Sequence, residues 1–447
     1  MPSQWPVAPR PGGPAEYNAL PMRVHFTNLG CKLNQAELEA LAREFAAAGH
    51  AVVGSLADAD LHVVNSCTVT AAAARDSRKV ARRGSRTNDR VRTVLTGCYA
   101  AAEPETAAAL AGVDLVVPNR DKERLLELVH RRFPETVAPS QTDPEDARPP
   151  CARLAFGNSR ALVKIEDGCN MTCSFCIIPS TRGRQHSRPP GDVVAEVAAL
   201  ADAGFHEVVI TGVQISAYRQ GAAGEVRLYD LVKRLLAETS IPRLRLTSLA
   251  PWRFDHRLLE VLSDDRLCRH VHLSLQSGAA ATLRRMRRPY TPGEYRELVD
   301  VLRRRVPGLA ITTDVIAGFP GETADEFDQS LEFARSIGFA RIHAFPYSRR
   351  AGTEADGLPD QVEDRVKRDR MKRLLAVAAD AERAFRHANV GAEAEVLWER
   401  RRGDTWQGTT DNYIRAYHPL GSGLAGRATR ARLSALTGDG MAVELVA

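Results

Sequence analysis

The chain has 447 residues, 44% of them hydrophobic and 26% charged, with a formal net charge of +6. That length allows two or three globular domains, and the small basic excess permits a nucleic-acid partner without demanding one. Eight cysteines in a chain this long are not a disulfide scaffold. No apolar run reaches membrane-span length and the N-terminus lacks a signal-peptide core, so a cytoplasmic protein with reduced thiols and no membrane partner is expected.

Residues 1–21 contain six prolines and the Gly12-Gly13 pair, and read as a disordered extension. Met22 stands just before the first strand and is the expected physiological start. Residues 22–133 alternate strands at 23–27, 61–65, 91–95 and 113–117 with helices at 34–48, 70–84, 103–110 and 120–132. The first helix has Leu38, Leu41, Phe45 and Ala48 on one face. Repeated βα units imply a doubly wound parallel sheet. Residues 134–157, punctuated by Pro134, Pro139, Pro144, Pro149 and Pro150, read as a linker.

A second α/β region spans 158–388, with strands expected at 161–165, 207–211, 243–247, 271–275, 310–316 and 340–346. Six parallel strands with outer helices describe a partial (β/α)6 barrel, in which the carboxyl ends of the strands carry the chemistry. A long helix, 359–388, trails it. The tail, 389–447, has short alternating segments separated by Gly-rich turns, the pattern of a small antiparallel β-barrel. Its aromatics beside arginine, Trp398/Arg400 and Tyr413/Arg415/Tyr417, suit either RNA stacking or a core with a charged rim.

The chemistry-bearing stretch is Gly168-Cys169-Asn170-Met171-Thr172-Cys173-Ser174-Phe175-Cys176, directly after the first strand of the second region. The spacing C-x3-C-x2-C could place three small hydrophobes on one helical stripe, but Gly168, Asn170, Thr172 and Ser174 are weak helix formers and Pro179 follows. A loop with three close thiolates is a soft-metal site, and three ligands leave one position open. A second set is dispersed: Cys31, Cys67 and Cys98 each follow a strand of the first region, at the sheet edge where open parallel sheets bind ligands. Three sulfurs without an evident fourth ligand fit structural zinc poorly and an iron–sulfur cluster with an open site better. Cys151 and Cys268 have no comparable setting.

The Cys169–Cys176 loop resembles the cluster signature of radical S-adenosylmethionine enzymes. Gly168-Cys169-Asn170, Thr181-Arg182-Gly183, the segments 271–278 and 314–323, and Phe345-Pro346-Tyr347-Ser348 resemble the methylthiotransferase branch. The similarity covers nearly everything from Met22 onward, and likens 389–447 to the RNA-binding TRAM barrel. It implies two [4Fe-4S] clusters, one on Cys169, Cys173 and Cys176 and one on Cys31, Cys67 and Cys98, with S-adenosyl-L-methionine as cofactor. Gly212, Ser274, Gln276 and Gly318 are the implied cofactor contacts, and no catalytic residue is implied beyond the cluster ligands. The implied partners are tRNA, a flavodoxin- or ferredoxin-like electron donor and a sulfur donor.

Leu29-Gly30-Cys31-Lys32-Leu33-Asn34-Gln35 most resembles the branch that converts N6-threonylcarbamoyladenosine, next to the anticodon at position 37, to its 2-methylthio derivative. The implied reaction is radical C2–H abstraction, sulfur insertion and methyl transfer. Cys67-Thr68-Val69-Thr70, 96–100 and Ile177-Ile178-Pro179 point the same way. Ala250 departs from this branch, which often carries Glu there. The same chemistry on isopentenyladenosine tRNA or a ribosomal-protein aspartate stays open, as does a non-catalytic metal-binding RNA protein. For RNA, two basic runs stand out: Arg284, Arg285, Arg287 and Arg288, and Arg78, Lys79, Arg82, Arg83 and Arg86. Either run could instead be a solvated face.

Overall fold

The structure, a computed structural model, describes residues 21–134, 159–421 and 423–446. Residues 1–20 of the expected extension and all but Pro134 of the expected linker, with Cys151, lie outside the described residues. The chain divides into two compact units: residues up to Gly157 with Asp167–Asn170 and Ile177–Arg188 form one, and Asn158–Glu166, Met171–Cys176 and Pro189–Ala447 form the other.

The first unit is a parallel sheet of β1 (Arg23–Asn28), β2 (Ala51–Val52), β3 (Leu61–Ser66), β4 (Arg92–Gly97) and β5 (Leu115–Val117), in the order β2-β1-β3-β4-β5. Every residue of β3 is buried, as a central parallel strand with covered faces requires. Helix α1 (Lys32–Ala47) sends Leu38, Leu41 and Phe45 into a core with Val24, Phe26, Leu61 and Val63. Ala48, expected on that face, is instead the exposed C-cap, while Glu37 and Glu39 are buried. Helix α2 (Ala71–Ala81) starts at Thr70, whose Oγ1 accepts from the Ala73 N–H. The helix expected at 103–110 is two short ones, Cys98–Ala102 and Pro104–Ala108, because Pro104 has no N–H to continue the first. Strand order reverses between β1 and β3, and at such a switch point the loops part to leave a crevice at the carboxyl edge.

The second unit opens with β6 (Arg160–Lys164), followed by strands Glu207–Thr211, Arg243–Leu246, His270–His272, Ala310–Ala317 and Arg341–Pro346. They form two parallel three-stranded sheets, linked by the bridges Leu244 to Leu267 and Leu249 to Leu273. The strands therefore run in sequence order as an open barrel. Thr291 and Thr323 begin helices Pro292–Arg305 and Ala324–Ile337 with reciprocal capping boxes to Glu294 and Glu326. The trailing helix is Asp364–Ala388, shorter at its start than the sequence suggests.

The tail closes into a five-stranded barrel around Val396, Trp398, Ile414, Leu433 and Met441. Trp398 is wholly buried and its indole N–H donates to Thr429 Oγ1 at 2.8 Å, so it is core and no stacking platform. This barrel is fastened to the amino ends of the larger barrel's strands. Glu207 takes Arg245 Nε at 2.7 Å and Arg243 Nη2 at 2.7 Å, all three side chains being buried. Arg245 goes on to donate to the Asp411 and Thr410 carbonyls. Arg160 pairs with Glu399 at 2.6 Å, Arg269 with Asp411 at 2.5 Å, and Tyr413 stacks on His270 at 4.3 Å. Among the described residues no helix is long and apolar enough to cross a membrane.

Candidate metal centre

Cys31, Cys67 and Cys98 lie where β1, β3 and β4 end. Cys31 caps α1, Cys67 follows Ser66, and Cys98 opens the short helix after Gly97. Glycine is required at two of these turns. A Cβ on Gly30 (φ +113°) would stand 2.9 Å from Cys67 Cβ and Sγ, and one on Gly97 (φ +98°) would strike the Ser66 backbone. The first clearance brings the turn of Cys31 against Cys67. The Cys67 thiol is pushed up to about 11, by burial first and then by the neighbouring sulfurs of Cys98 and Cys31. Cys31 is exposed as a residue, and desolvation of its sulfur among the neighbouring groups raises its thiol, with Arg182 pulling the other way. The three sulfurs thus share one electrostatic neighbourhood at the carboxyl edge of the sheet.

Around them is a knot of buried charge that hydrophobic periodicity does not reveal. Arg182 Nη1 donates to Glu37 Oε1 at 2.8 Å and to Asp167 Oδ1 at 3.0 Å, and Nη2 donates to Asn34 Oδ1 at 2.6 Å. Lys122 Nζ reaches Glu37 Oε2 at 2.5 Å and Asn65 Oδ1 at 3.2 Å. Asn34, four residues on from Gly30, donates to the Leu29 and Ser66 carbonyls, tying the β1 turn to the β3 turn. Two cations and two carboxylates cancel, so three thiolates would add uncompensated negative charge. A cluster core carrying positive charge restores the balance. The donor set and its surroundings fit such a group. Among the described residues no three His, Cys, Asp or Glu side chains already surround a single ion position.

The other three thiols are half-buried on one loop. Gly168 (φ +71°) lets the chain pass the Arg184 carbonyl, which a Cβ would meet at 2.3 Å, and the Cys169 N–H donates to the Gly183 carbonyl. Within the second unit, Ser174 pins the rest of the loop. Its Oγ donates to the Arg285 carbonyl at 2.7 Å, its N–H to Met286 O, and its carbonyl accepts from Ala355 N. Phe175 meets Phe319 edge to face at 6.3 Å. The Cys176 N–H closes a tight turn onto the Cys173 carbonyl, and Arg288 Nη1 donates to Cys173 Sγ at 3.4 Å. Soft donors on a loop braced by backbone bonds fit a cluster with an open iron.

The expected cofactor contacts stand at strand ends of this second unit. Gly212 follows Thr211, and a Cβ there would lie 2.7 Å from Glu166 Oε2, the atom that also accepts from Gln214 N. Ser274 and Gln276 are half-buried between the buried residues Leu273, Leu275 and Ser277. Gln276 (φ +66°) is held in register with Asp314 and Ile316. Gly318 (φ +78°) donates to Glu322 Oε2 at 2.7 Å, where a Cβ would collide with Lys367. Both glycines thus have steric reasons of their own. The sequence reading missed a polar trio here: His272 Nε2 lies 3.2 Å from Asp314 Oδ2, and its ring is 6.0 Å from that of His343. Alternation with buried neighbours is the only sequence signal it leaves. Ala250 is buried, its N–H donating to Ser216 Oγ.

The basic runs separate. Arg285 pairs with Glu326, Arg287 with Glu354 at 2.8 Å, and Arg288 turns inward, leaving Arg284 exposed. On α2 and just beyond it, Lys79, Arg82, Arg83 and Arg86 are all exposed, while Arg78 lies over the Tyr99 ring.

Comparison with known proteins agrees with this layout. The profile described as Radical SAM superfamily matches residues 163–334, and that described as Uncharacterized protein family UPF0004 matches 23–118. The chain is 33% identical to a threonylcarbamoyladenosine tRNA methylthiotransferase, MtaB, of Bacillus subtilis, over 92% of this chain and 93% of the relative. An MtaB of Aquifex aeolicus is 37% identical over 88% and 96%. A tRNA-2-methylthio-N(6)-dimethylallyladenosine synthase of an Anaeromyxobacter species is 35% identical over 96% and 97%. Among solved structures, the radical S-adenosylmethionine methyltransferase TsrM of Kitasatospora setae has the same fold at TM-score 0.55 and 17% identity, over 75% of this chain and 77% of that one. The chain belongs to the radical S-adenosylmethionine tRNA methylthiotransferases, enzymes that work with [4Fe-4S] clusters and S-adenosylmethionine.

Proposed function

We propose that this enzyme acts on N6-threonylcarbamoyladenosine at position 37 of tRNA and installs a 2-methylthio group. The observation that carries the substrate is near full-length similarity to two enzymes named for threonylcarbamoyladenosine, at 33% and 37% identity. The 29–35 motif, which resembles that branch, supports the same reading, and its Asn34 ties the turn that carries Cys31 to the end of β3. Cys169, Cys173 and Cys176 would hold one cluster and Cys31, Cys67 and Cys98 the other. When bound, the clusters with S-adenosylmethionine supply one-electron chemistry able to replace the inert C2–H of a purine, which no side-chain acid or base can remove.

The chain's own residues bind and orient. The Ser174 anchors and the Phe175–Phe319 contact brace the cysteine loop against the rest of the second unit. Gly212 and Gly318 let backbone approach where a side chain would block it. Ser274, Gln276 and the His272–Asp314 pair, with Asp314 inside the strand Ala310–Ala317, present polar groups for cofactor or base. The exposed α2 cations are the proposed phosphate contacts. A cytoplasmic setting, a flavodoxin- or ferredoxin-like reductant and a separate sulfur source complete the proposal. Mass spectrometry of tRNA nucleosides from a strain lacking the gene tests it. Unmethylthiolated threonylcarbamoyladenosine should accumulate and the gene should restore the product. Loss of a methylthiolated isopentenyladenosine instead would reassign the substrate.

A further inference from the structure

Arg288 belongs to a basic run that reads as an RNA contact, yet its surroundings say otherwise. Its guanidinium lies 4.2 Å from the Trp252 ring and 5.6 Å from Tyr290, and those two rings are stacked 5.5 Å apart at 6°. One donor, Nη1, goes to Cys173 Sγ at 3.4 Å. Another, Nε, is buried without an acceptor among the described residues, the Tyr290 hydroxyl being the other polar group beside the guanidinium. The other arginines drawn inward in this unit, Arg243, Arg245 and Arg370, are all paired with a carboxylate. For Arg288, no carboxylate lies within ion-pair distance among the described residues. A guanidinium clamped on an aromatic face, with an unused donor and no acid to balance it, is an electrostatic complement waiting for an anion. The anion the geometry offers is the sulfur of Cys173, as thiolate on a metal centre.

We propose that Arg288 is a positioning residue for the cluster on Cys169, Cys173 and Cys176, which fixes the Cys173 thiolate and favours the reduced state of that cluster. The inference rests on those three thiols holding the cluster. One-electron reduction adds a negative charge to the centre, and a fixed cation on a ligand sulfur stabilises the added charge. Hydrogen bonds to ligand sulfurs and local charge are among the determinants of cluster potential. Removal of the cation should therefore lower the potential, making the cluster harder to reduce. The aromatic clamp keeps the guanidinium plane from swinging out toward solvent, so the effect depends on the planar fork as well as on charge.

The test uses the full chain with Cys31, Cys67 and Cys98 replaced by alanine, so that one cluster reports. With Arg288 intact it should bind about four irons and show a reducible paramagnetic signal. Arg288→Gln should retain the iron and shift the reduced-to-oxidised ratio at fixed potential about tenfold toward oxidised, a change of about 59 mV. Arg288→Lys should fall between the two. An unchanged potential in Arg288→Gln overturns the proposal, as does a one-unit drop in the salt slope of tRNA binding without any redox change, the mark of a phosphate contact. Failure of both variants to load iron while the parent loads it would assign Arg288 a purely structural part. Failure of the parent to load iron would instead remove the cluster assignment itself.

Discussion

Several buried residues here have jobs that side-chain type does not announce. Glu37, Asp167 and Arg182 look like surface charges in the sequence, and only the fold brings them under the Cys31, Cys67 and Cys98 turns. Cysteines were legible because three of them follow three strands. Their counter-charges were not, because hydrophobic periodicity records apolar faces and is blind to a polar knot. Two histidines of the first unit carry a measurable consequence. His50 Nδ1 accepts from the Met22 N–H at 3.1 Å, so the ring proton sits on Nε2 and points to His130 Nε2 at 2.7 Å. Burial, with His130 beside it, lowers His50 to about 4, and burial lowers His62, bonded to Thr27, to about 3. An unfolded histidine titrates near 6.5, so below that pH the unfolded chain binds more protons than the folded one. Stability is complete above about 6.5 and drains away as pH falls toward 4, by on the order of 3 kcal/mol for His50 alone. The urea midpoint of the first transition should fall between pH 7 and pH 5, and His62→Leu should flatten that fall. A midpoint independent of pH over this range would contradict it.

At the scale of elements, strands were easy to place where branched residues run together, as in Leu61–Ser66 and Ala310–Ala317. β2 was invisible, because two residues, Ala51 and Val52, leave no pattern. That small strand fixes the order β2-β1-β3, and hence the crevice at the switch. The basic run at 284–288 was the converse case. Four positive residues in five suggest one face, yet two are held by Glu326 and Glu354, one is drawn in to Cys173, and only Arg284 is left exposed and without an ion pair among the described residues. On α2 and just beyond it, Lys79, Arg82, Arg83 and Arg86 are exposed and make no ion pair among the described residues. Reversal of Lys79, Arg82, Arg83 and Arg86 to glutamate should weaken tRNA binding and reduce the slope of log affinity against log salt by about 0.7–0.9 for each phosphate no longer neutralised. Filter binding across a salt series measures both quantities, and an unchanged slope would take α2 out of the interface.

For the molecule as a whole, a buried ionic joint connects the two barrels of the second unit. Burial by itself would raise the Glu207 carboxyl, but Arg245 and Arg243 hold it far below the carboxylate range. Glu207→Gln leaves two arginines buried without their counter-charge, at a cost of about 3–5 kcal/mol. Hydrogen exchange should then quicken in Thr409–Tyr413 and Arg243–Leu246, and unaltered protection there would show that the joint lies elsewhere. Glu207, Arg243, Arg160 and Arg269 all sit at or just before the amino ends of their strands, while the cysteine loop leaves β6 at the other end. The five residues of β6, at about 3.3 Å each, put roughly 17 Å of strand between the two. With the cysteine loop carrying the chemistry, as proposed, any RNA gripped by the small barrel would have to cover that interval before its base reached the site. In the proposed function the barrel strands would act as a ruler, so a hairpin of the wrong height would offer its base short of the mark or beyond it.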